Sequence, residues 1–280
     1  MTVPRRAFGS SGVELSALAL GTMRMAPPKF NAATALQLLL HLSDMGVTSF
    51  HVSHEYESHA FACEALAALR RERPSAPIEV IAKLAAPHFD EDGFSADRLR
   101  KRTDALLRDL PVERVDVVQW MVRQTPNEDG PRLAILERDR PLIADAAARL
   151  KAQGKIGAFA VFSYSEPFRR AVAPEPWCDG LVDYLNPMEL DAAPWLDQLH
   201  ARGQGFIALR PLFAGKLARQ PADIDAALRF PLLHPATAAI VVSLSDLGQA
   251  DEAIAAAEAA CAEPEAFRAA STRYGGASPT

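Results

Sequence analysis

Three side chains that carry or exchange protons, His51, His54 and Tyr56, lie at or just past the strand-like run 48–52, and Lys83 closes a second apolar run, 78–82. Histidine is the side chain whose ordinary pKa sits near neutrality, and tyrosine and lysine are proton carriers at higher pH. Two histidines three residues apart also raise the possibility of a metal, with a third ligand drawn from elsewhere, such as His88; the competing reading is a hydrogen-bonded structural pair. No set of three or four ligands at metal-binding spacing is evident, so no metal is expected.

Residues of this kind need a scaffold that brings strand ends together. The chain of 280 residues is 49% apolar and 23% charged, ordinary values for a globular protein. No apolar stretch reaches the 18 residues that a membrane span needs, and no apolar segment follows Arg5 and Arg6 as in a secretory signal, so a cytoplasmic protein is expected. The net charge of −5 is small and the basic residues are dispersed, which leaves no footprint for nucleic acid and makes a small molecule the expected partner. Cys63, Cys178 and Cys261 are odd in number and far apart, and are expected to be reduced and mostly buried.

Strand-like and helix-like segments alternate to the end without a linker. A turn at Gly9-Ser10-Ser11-Gly12 between short segments predicts an N-terminal hairpin, and apolar runs at 17–20, 48–52, 78–82, 115–120, 158–162, 181–185, 206–209 and 238–242 predict eight strands. Helical spacing follows each, as in 32–45 with Asn31 as N-cap and Gly46 beyond its end, then 58–71, 97–110, 141–153, a helix after Ser165, 194–202, 224–230 and 247–260. The polar stretch 123–138, with Pro126, Gly130 and Pro131, reads as a long loop and a candidate lid, and the tail 272–280 as frayed. Eight such units predict one α/β domain, a (β/α)₈ TIM barrel with the hairpin as a plug at its bottom, the core running over about 6–260. A Rossmann fold is disfavoured because no G-x-G-x-x-G follows the first strand. A barrel works at the C-terminal ends of its strands, which gathers 21–24, 51–56, Lys83, 121–123, 162–164, Leu185, Asn186, Arg210 and 242–246 around one mouth. Large apolar groups there, Met121 and Trp120, are expected to line a pocket wall.

The opening Phe8-Gly9-Ser10-Ser11-Gly12-Val13-Glu14-Leu15-Ser16, then Leu20-Gly21-Thr22, the segment 46–56, Gly154-Lys155-Ile156 within 150–161, and Arg210-Pro211-Leu212-Phe213-Ala214-Gly215-Lys216-Leu217 with His234-Pro235 together resemble the aldo-keto reductase superfamily. The resemblance runs from about residue 6 to 260. It implies the same barrel, a nicotinamide cofactor, NADP or NAD, bound across the mouth, and carbonyl reduction by an Asp-Tyr-Lys-His tetrad. Carried over one position at a time, the Tyr falls on Tyr56 and the Lys on Lys83, but the Asp position holds His51 and the His position Met121. On this reading Lys83 lowers the Tyr56 pKa, His51 cannot supply the charge that holds the lysine, and Met121 cannot donate to a carbonyl, a loss of about 2–4 kcal/mol in the transition state.

The cofactor positions implied by the resemblance are Gly21, Thr22, Ser163, Asn186, Arg210, Leu212, Ser243 and Ser245. Phe162 stands where a polar partner of Ser163 is usual, no cation for a 2′-phosphate is evident after the eighth strand, and Asp246 there would repel one, unless it only caps the last helix. Arg210 reads equally as a phosphate ligand or a surface ion pair. The implied function is an oxidoreductase of altered chemistry acting on a small carbonyl or alcohol. Two alternatives stand beside it: a silent barrel that binds a metabolite or a protein partner, and a metal-assisted lyase or hydrolase using His51 and His54.

Overall fold

The computed structural model describes residues 2–218, 221–262 and 270. Strands β1 (Arg5–Ala7) and β2 (Glu14–Ser16) form the antiparallel hairpin. Its turn runs through Gly9 at φ 56° and Gly12 at φ 78°, a left-handed conformation that glycine adopts without a Cβ clash. Eight parallel strands follow and close a barrel: β3 (Leu18–Gly21), β4 (Ser49–Val52), β5 (Glu79–Ala85), β6 (Val115–Met121), β7 (Ile156–Phe162), β8 (Gly180–Tyr184), β9 (Gly205–Leu209) and β10 (Thr237–Val242), with β10 pairing back to β3. The helices between and after them are α1 (Ala32–Asp44), α2 (His59–Glu72), α3 (Ala96–Asp109), α4 (Asp129–Ala152), α5 (Glu166–Val172), α6 (Leu196–Ala201), α7 (Pro221–Leu232) and α8 (Leu247–Cys261). This is the expected (β/α)₈ TIM barrel with an N-terminal hairpin.

Local chemistry sets the element boundaries. The Asn31 side chain accepts from Thr34 N and Thr34 answers with a bond to the Asn31 backbone, a reciprocal cap on α1. Ser95, Ser165 and Asp246 cap α3, α5 and α8 with a single bond each, the side chain accepting from the amide three residues on. Gly46, at φ 80°, ends α1 as its position predicted.

One expectation is overturned. Most of 123–138 is not a loop, because α4 begins at Asp129 and holds Pro141 in its interior. Pro131 costs nothing in the first turn, where its missing N–H has no intrahelical partner. The buried face is Arg132, Ile135, Leu136, Asp139, Ile143, Ala146, Ala147 and Leu150, a regular helical stripe whose first turns are masked in the sequence by Arg132 and Asp139. Strand β5 also continues past Lys83 to Ala85, so Lys83 lies within a strand. The reading of 272–280 lies outside the described residues.

Phe8 closes the bottom of the barrel. It is fully buried beside Gly180 and Gly205, the paired first residues of β8 and β9. A Cβ on Gly180 would stand 2.2 Å from the Gly205 carbonyl oxygen and 2.5 Å from Phe8 Cζ. Backbone cannot yield as a side chain does, so Gly180→Ala is expected to cost about 1–3 kcal/mol by overpacking. A melting temperature lowered by several degrees checks this; an unchanged one would mean that Phe8 is not a tight plug.

Candidate active site at the barrel mouth

Side-chain alternation decides what enters the barrel. Ala19, Ile81, Val117, Ala158, Ala160, Val182, Ile207 and Ala239 pack together inside. By the two-residue period of a strand, Lys83 and Ala85 share the inward face of Ile81, and Gln119 and Met121 that of Val117. Register places Lys83 beside Gln119 and Ala85 beside Met121. Met121, Ala85 and Phe162 form a small apolar cluster at the mouth, with Tyr164 and Leu209 against it. Trp120 has the opposite parity. It is fully buried outside the bore, where it contacts Phe94, Phe159 and Trp177 and its Nε1 donates to Ala86 O, so it does not line the mouth as the sequence suggested.

The strand end at β4 is tied down on several sides. Thr22 Oγ1 donates to His51 O at 3.0 Å, Ser58 Oγ donates to Thr22 O at 2.8 Å, and Ser53 Oγ donates to Lys83 O at 3.2 Å while accepting from Glu55 N. Thr22 thus acts here on the protein's own backbone. On this platform the buried His51 places Nε2 2.7 Å from Gln119 Oε1 and Nδ1 3.4 Å from the Tyr56 hydroxyl. Burial, aided by the nearby Lys83 charge and opposed by the Gln119 bond, pushes the His51 pKa down to about 4. The ring is neutral at physiological pH.

A carboxylate does stand beside Lys83, that of Glu55 in the loop after β4. Glu55 Oε2 lies 3.4 Å from Lys83 Nζ and 2.8 Å from Arg123 Nη2, and Oε1 lies 3.8 Å from His88 Nε2. Lys83 Nζ itself sits 5.0 Å from the centre of the Tyr56 ring. This changes the electrostatics expected from the sequence. Tyr56 is raised above its ordinary pKa, first by burial and then by Glu55, with Arg123 opposing. Lys83 is lowered, first by burial and then by Arg123, with Glu55 opposing. The ammonium faces the ring and its carboxylate instead of the hydroxyl, so Tyr56 is a protonated phenol and not an incipient phenolate.

Several rim residues are already engaged. Ser163 is fully buried and its hydroxyl donates to Asp183, which also takes Arg169 Nη2 at 2.6 Å. Asn186 has a full set of partners: Nδ2 donates to Glu189 Oε2 and Arg210 O, and Oδ1 accepts from the Met188 and Glu189 amides. Arg210, at φ 55°, pairs with Glu189 at 3.2 Å and lies 4.5 Å from the Tyr184 ring centre. Gly21 and the exposed Ser243 are neighbours, a Cβ on the glycine falling 3.3 Å from Ser243 Oγ. Leu212 is half-buried in the turn after β9, and Lys216 Nζ stands 4.8 Å from the Phe213 ring in that same turn. At the start of α8, Asp246 accepts from Gln249 N, and Gln249 Oε1 accepts from Ser245 N. Asp246 is therefore a helix cap, and it leaves a negative charge at that terminus.

Position-by-position matching passed over Glu55, Gln119 and Arg123, although the strand-end ranges 51–56 and 121–123 had already put Glu55 and Arg123 at the mouth. Gln119 was detectable as the one polar inward position in 117–121, and Glu55 as a carboxylate adjoining Tyr56. Among the described residues no group of three His, Cys, Asp or Glu is placed to hold a metal ion. Both His51 nitrogens already face protein groups, and His54 is exposed, so the metal-assisted reading gains no geometric support. The three cysteines are free thiols, Cys63 and Cys178 buried and Cys261 partly so. No described helix is long and apolar enough to cross a membrane.

The model of the aldo/keto reductase family matches residues 17–225. Among solved structures, a putative aldo-keto reductase from Pseudomonas aeruginosa superposes with a TM-score of 0.73 at 22% identity, covering 92% of this chain and 97% of its own. An aldo-keto reductase from Bacillus halodurans, in its holo form, superposes at 0.74 with 15% identity and 96% of each chain. No curated protein matches the sequence. The structural likenesses share the barrel and the family match spans most of the chain: the protein belongs to the aldo/keto reductase family, a family of oxidoreductases.

Proposed function

We propose that the chain is a nicotinamide-dependent oxidoreductase acting on a small carbonyl or alcohol, with Tyr56 as the proton-exchanging group. The observation that carries this reading is the constellation at the mouth, where Tyr56 lies against Lys83 and Glu55 supplies the carboxylate partner that the His51 position lacks. Lys83, paired with Glu55, lies over the ring, and neutral His51 engages the hydroxyl. Met121 adds no hydrogen bond at the place where a donor is usual, so the polar work rests on Tyr56 alone.

The residues fit a nicotinamide dinucleotide at two places. Tyr184, 36% exposed, offers an aromatic face at the mouth, and Arg210 and Lys216 bring cations suited to a pyrophosphate on the turn after β9. When bound, such a cofactor exchanges a hydride with carbon. Asp246 at the start of α8 disfavours a 2′-phosphate, so we read the cofactor as NAD(H) in preference to NADP(H). Met23, Phe89, Tyr184 and Met188, four of the five exposed large apolar side chains among the described residues, belong to the turns and strand ends on the mouth side, which favours a substrate with an apolar or aromatic body.

Titration with NADH and NADPH, followed by melting temperature and fluorescence, tests the reading. NADH is expected to stabilise the fold by about 2.7 kcal/mol at a hundred times its Kd. NADPH is expected to bind on the order of tenfold more weakly. No response to millimolar NADH, NAD, NADPH or NADP would end the proposal. It would favour the second reading, a barrel that binds a metabolite without turning it over, which the internal satisfaction of Ser163 and Asn186 supports.

A further inference from the structure

Gln119 has no counterpart among the residues that the family resemblance singled out, yet it makes a close polar contact in the bore, 2.7 Å to His51 Nε2. An amide oxygen can only accept, so this nitrogen carries the imidazole proton. The other nitrogen, Nδ1, is then a lone pair, and the Tyr56 hydroxyl 3.4 Å away is the donor that meets it. With its proton turned inward, Tyr56 can show the mouth only oxygen lone pairs. Lys83 does not compete for them, since its ammonium lies over the ring face and against Glu55.

We propose that Gln119 is a positioning residue that locks His51 in its Nε2–H tautomer, so that Tyr56 meets the substrate as a hydrogen-bond acceptor and the resting site selects a hydroxyl-bearing compound over its carbonyl form. This rests on the reading of Tyr56 as the group that meets substrate. The proton balance follows from the same contacts. As the alcohol O–H breaks, its proton goes to Tyr56 Oη and Tyr56's own proton moves to His51 Nδ1, giving an imidazolium that keeps its Nε2–H bond to Gln119 and that burial and the Lys83 charge make transient. The O–H electron pair remains with the substrate oxygen and forms the carbonyl; an oxidised nicotinamide, when bound, would supply the acceptor for the hydride that this carbon gives up.

Nitrogen-15 NMR of the full-length protein reads the tautomer directly, with His51→Gln to assign the signals. A protonated Nε2 and an unprotonated Nδ1 are expected, and Gln119→Leu should convert this to a mixture. A protonated Nδ1 in the wild type, with Tyr56 then donating toward the mouth, would overturn the proposal, and the wild-type spectrum decides even if Gln119→Leu fails to fold. A binding arm without any cofactor uses 1-phenylethanol and acetophenone as probes: the alcohol is expected to perturb the Tyr56 ring signals at roughly tenfold lower concentration, the size of one hydrogen bond. An equal response, a reversed order or no response to either would overturn the selectivity. Neither arm contains a nicotinamide, so its failure is distinguishable from a failed cofactor titration.

Discussion

Tyr56→Phe is expected to lower turnover by about 10²–10⁴-fold, the usual contribution of a positioned acid or base, while leaving the melting temperature almost unchanged. The two parts of this expectation have separate grounds. The rate falls because the Tyr56 hydroxyl is the proton-exchanging group that meets His51 while Lys83 lies over its ring, and Met121 provides no substitute. Stability holds because phenylalanine keeps the ring on which Lys83 rests, and because the bond given up is a long one at 3.4 Å. Steady-state kinetics with NAD and an aromatic alcohol, alongside a thermal melt, checks both. Turnover retained in the variant would place the chemistry elsewhere; turnover lost together with a large fall in melting temperature would make Tyr56 a structural residue.

The barrel was legible in the sequence because its strands are short apolar runs separated by amphipathic helices, and burial of those runs leaves few ways to arrange them. Caps were legible for a similar reason. Asn31, Ser165 and Asp246 have the side chains that satisfy free amides at a helix start, and each does so. The start of α4 was hidden because charged residues can be buried when they are paired. Arg132 covers the Tyr164 ring at 3.9 Å and pairs with Asp129, and Asp139 binds the Phe94 amide and Arg138, so a polar stretch forms a buried helical face.

The candidate site was only half legible. Matching by position finds Tyr56 and Lys83 and reports a missing carboxylate, because it asks what stands at one place on a strand. The ion pair depends instead on where a charge can reach, and Glu55 reaches Lys83 from the following loop. Gln119 needed both strand parity and the pairing register to be seen beside Lys83 and facing His51. Parity can be read from spacing, but the register cannot.

Asp183→Leu is expected to destabilise the protein by about 3–5 kcal/mol, the largest stability effect of any substitution considered, because it strands a charge. Arg169 is 2% exposed and Asp183 is 5% exposed, and their contact at 2.6 Å is joined by the Ser163 hydroxyl and, through Arg169 Nη1, by Asp191 O at 2.9 Å. Removing the carboxylate leaves a guanidinium with no counter-charge in this contact and a serine without its acceptor. The converse substitution sharpens the point: Asp183→Leu combined with Arg169→Met removes both charges and is expected to recover most of the loss, since a buried ion pair gains little over apolar residues that fill the same space. Chemical denaturation of the two variants beside the wild type measures this coupling. Losses that simply add would show that Asp183 and Arg169 act independently. Recovery in the double variant would instead show that the cluster's cost lies in breaking it. It also bears on the mouth, because Ser163 then loses the partner that now occupies its hydroxyl, and a gain in NAD affinity in the double variant is the expected sign that Ser163 had been held back from a ligand.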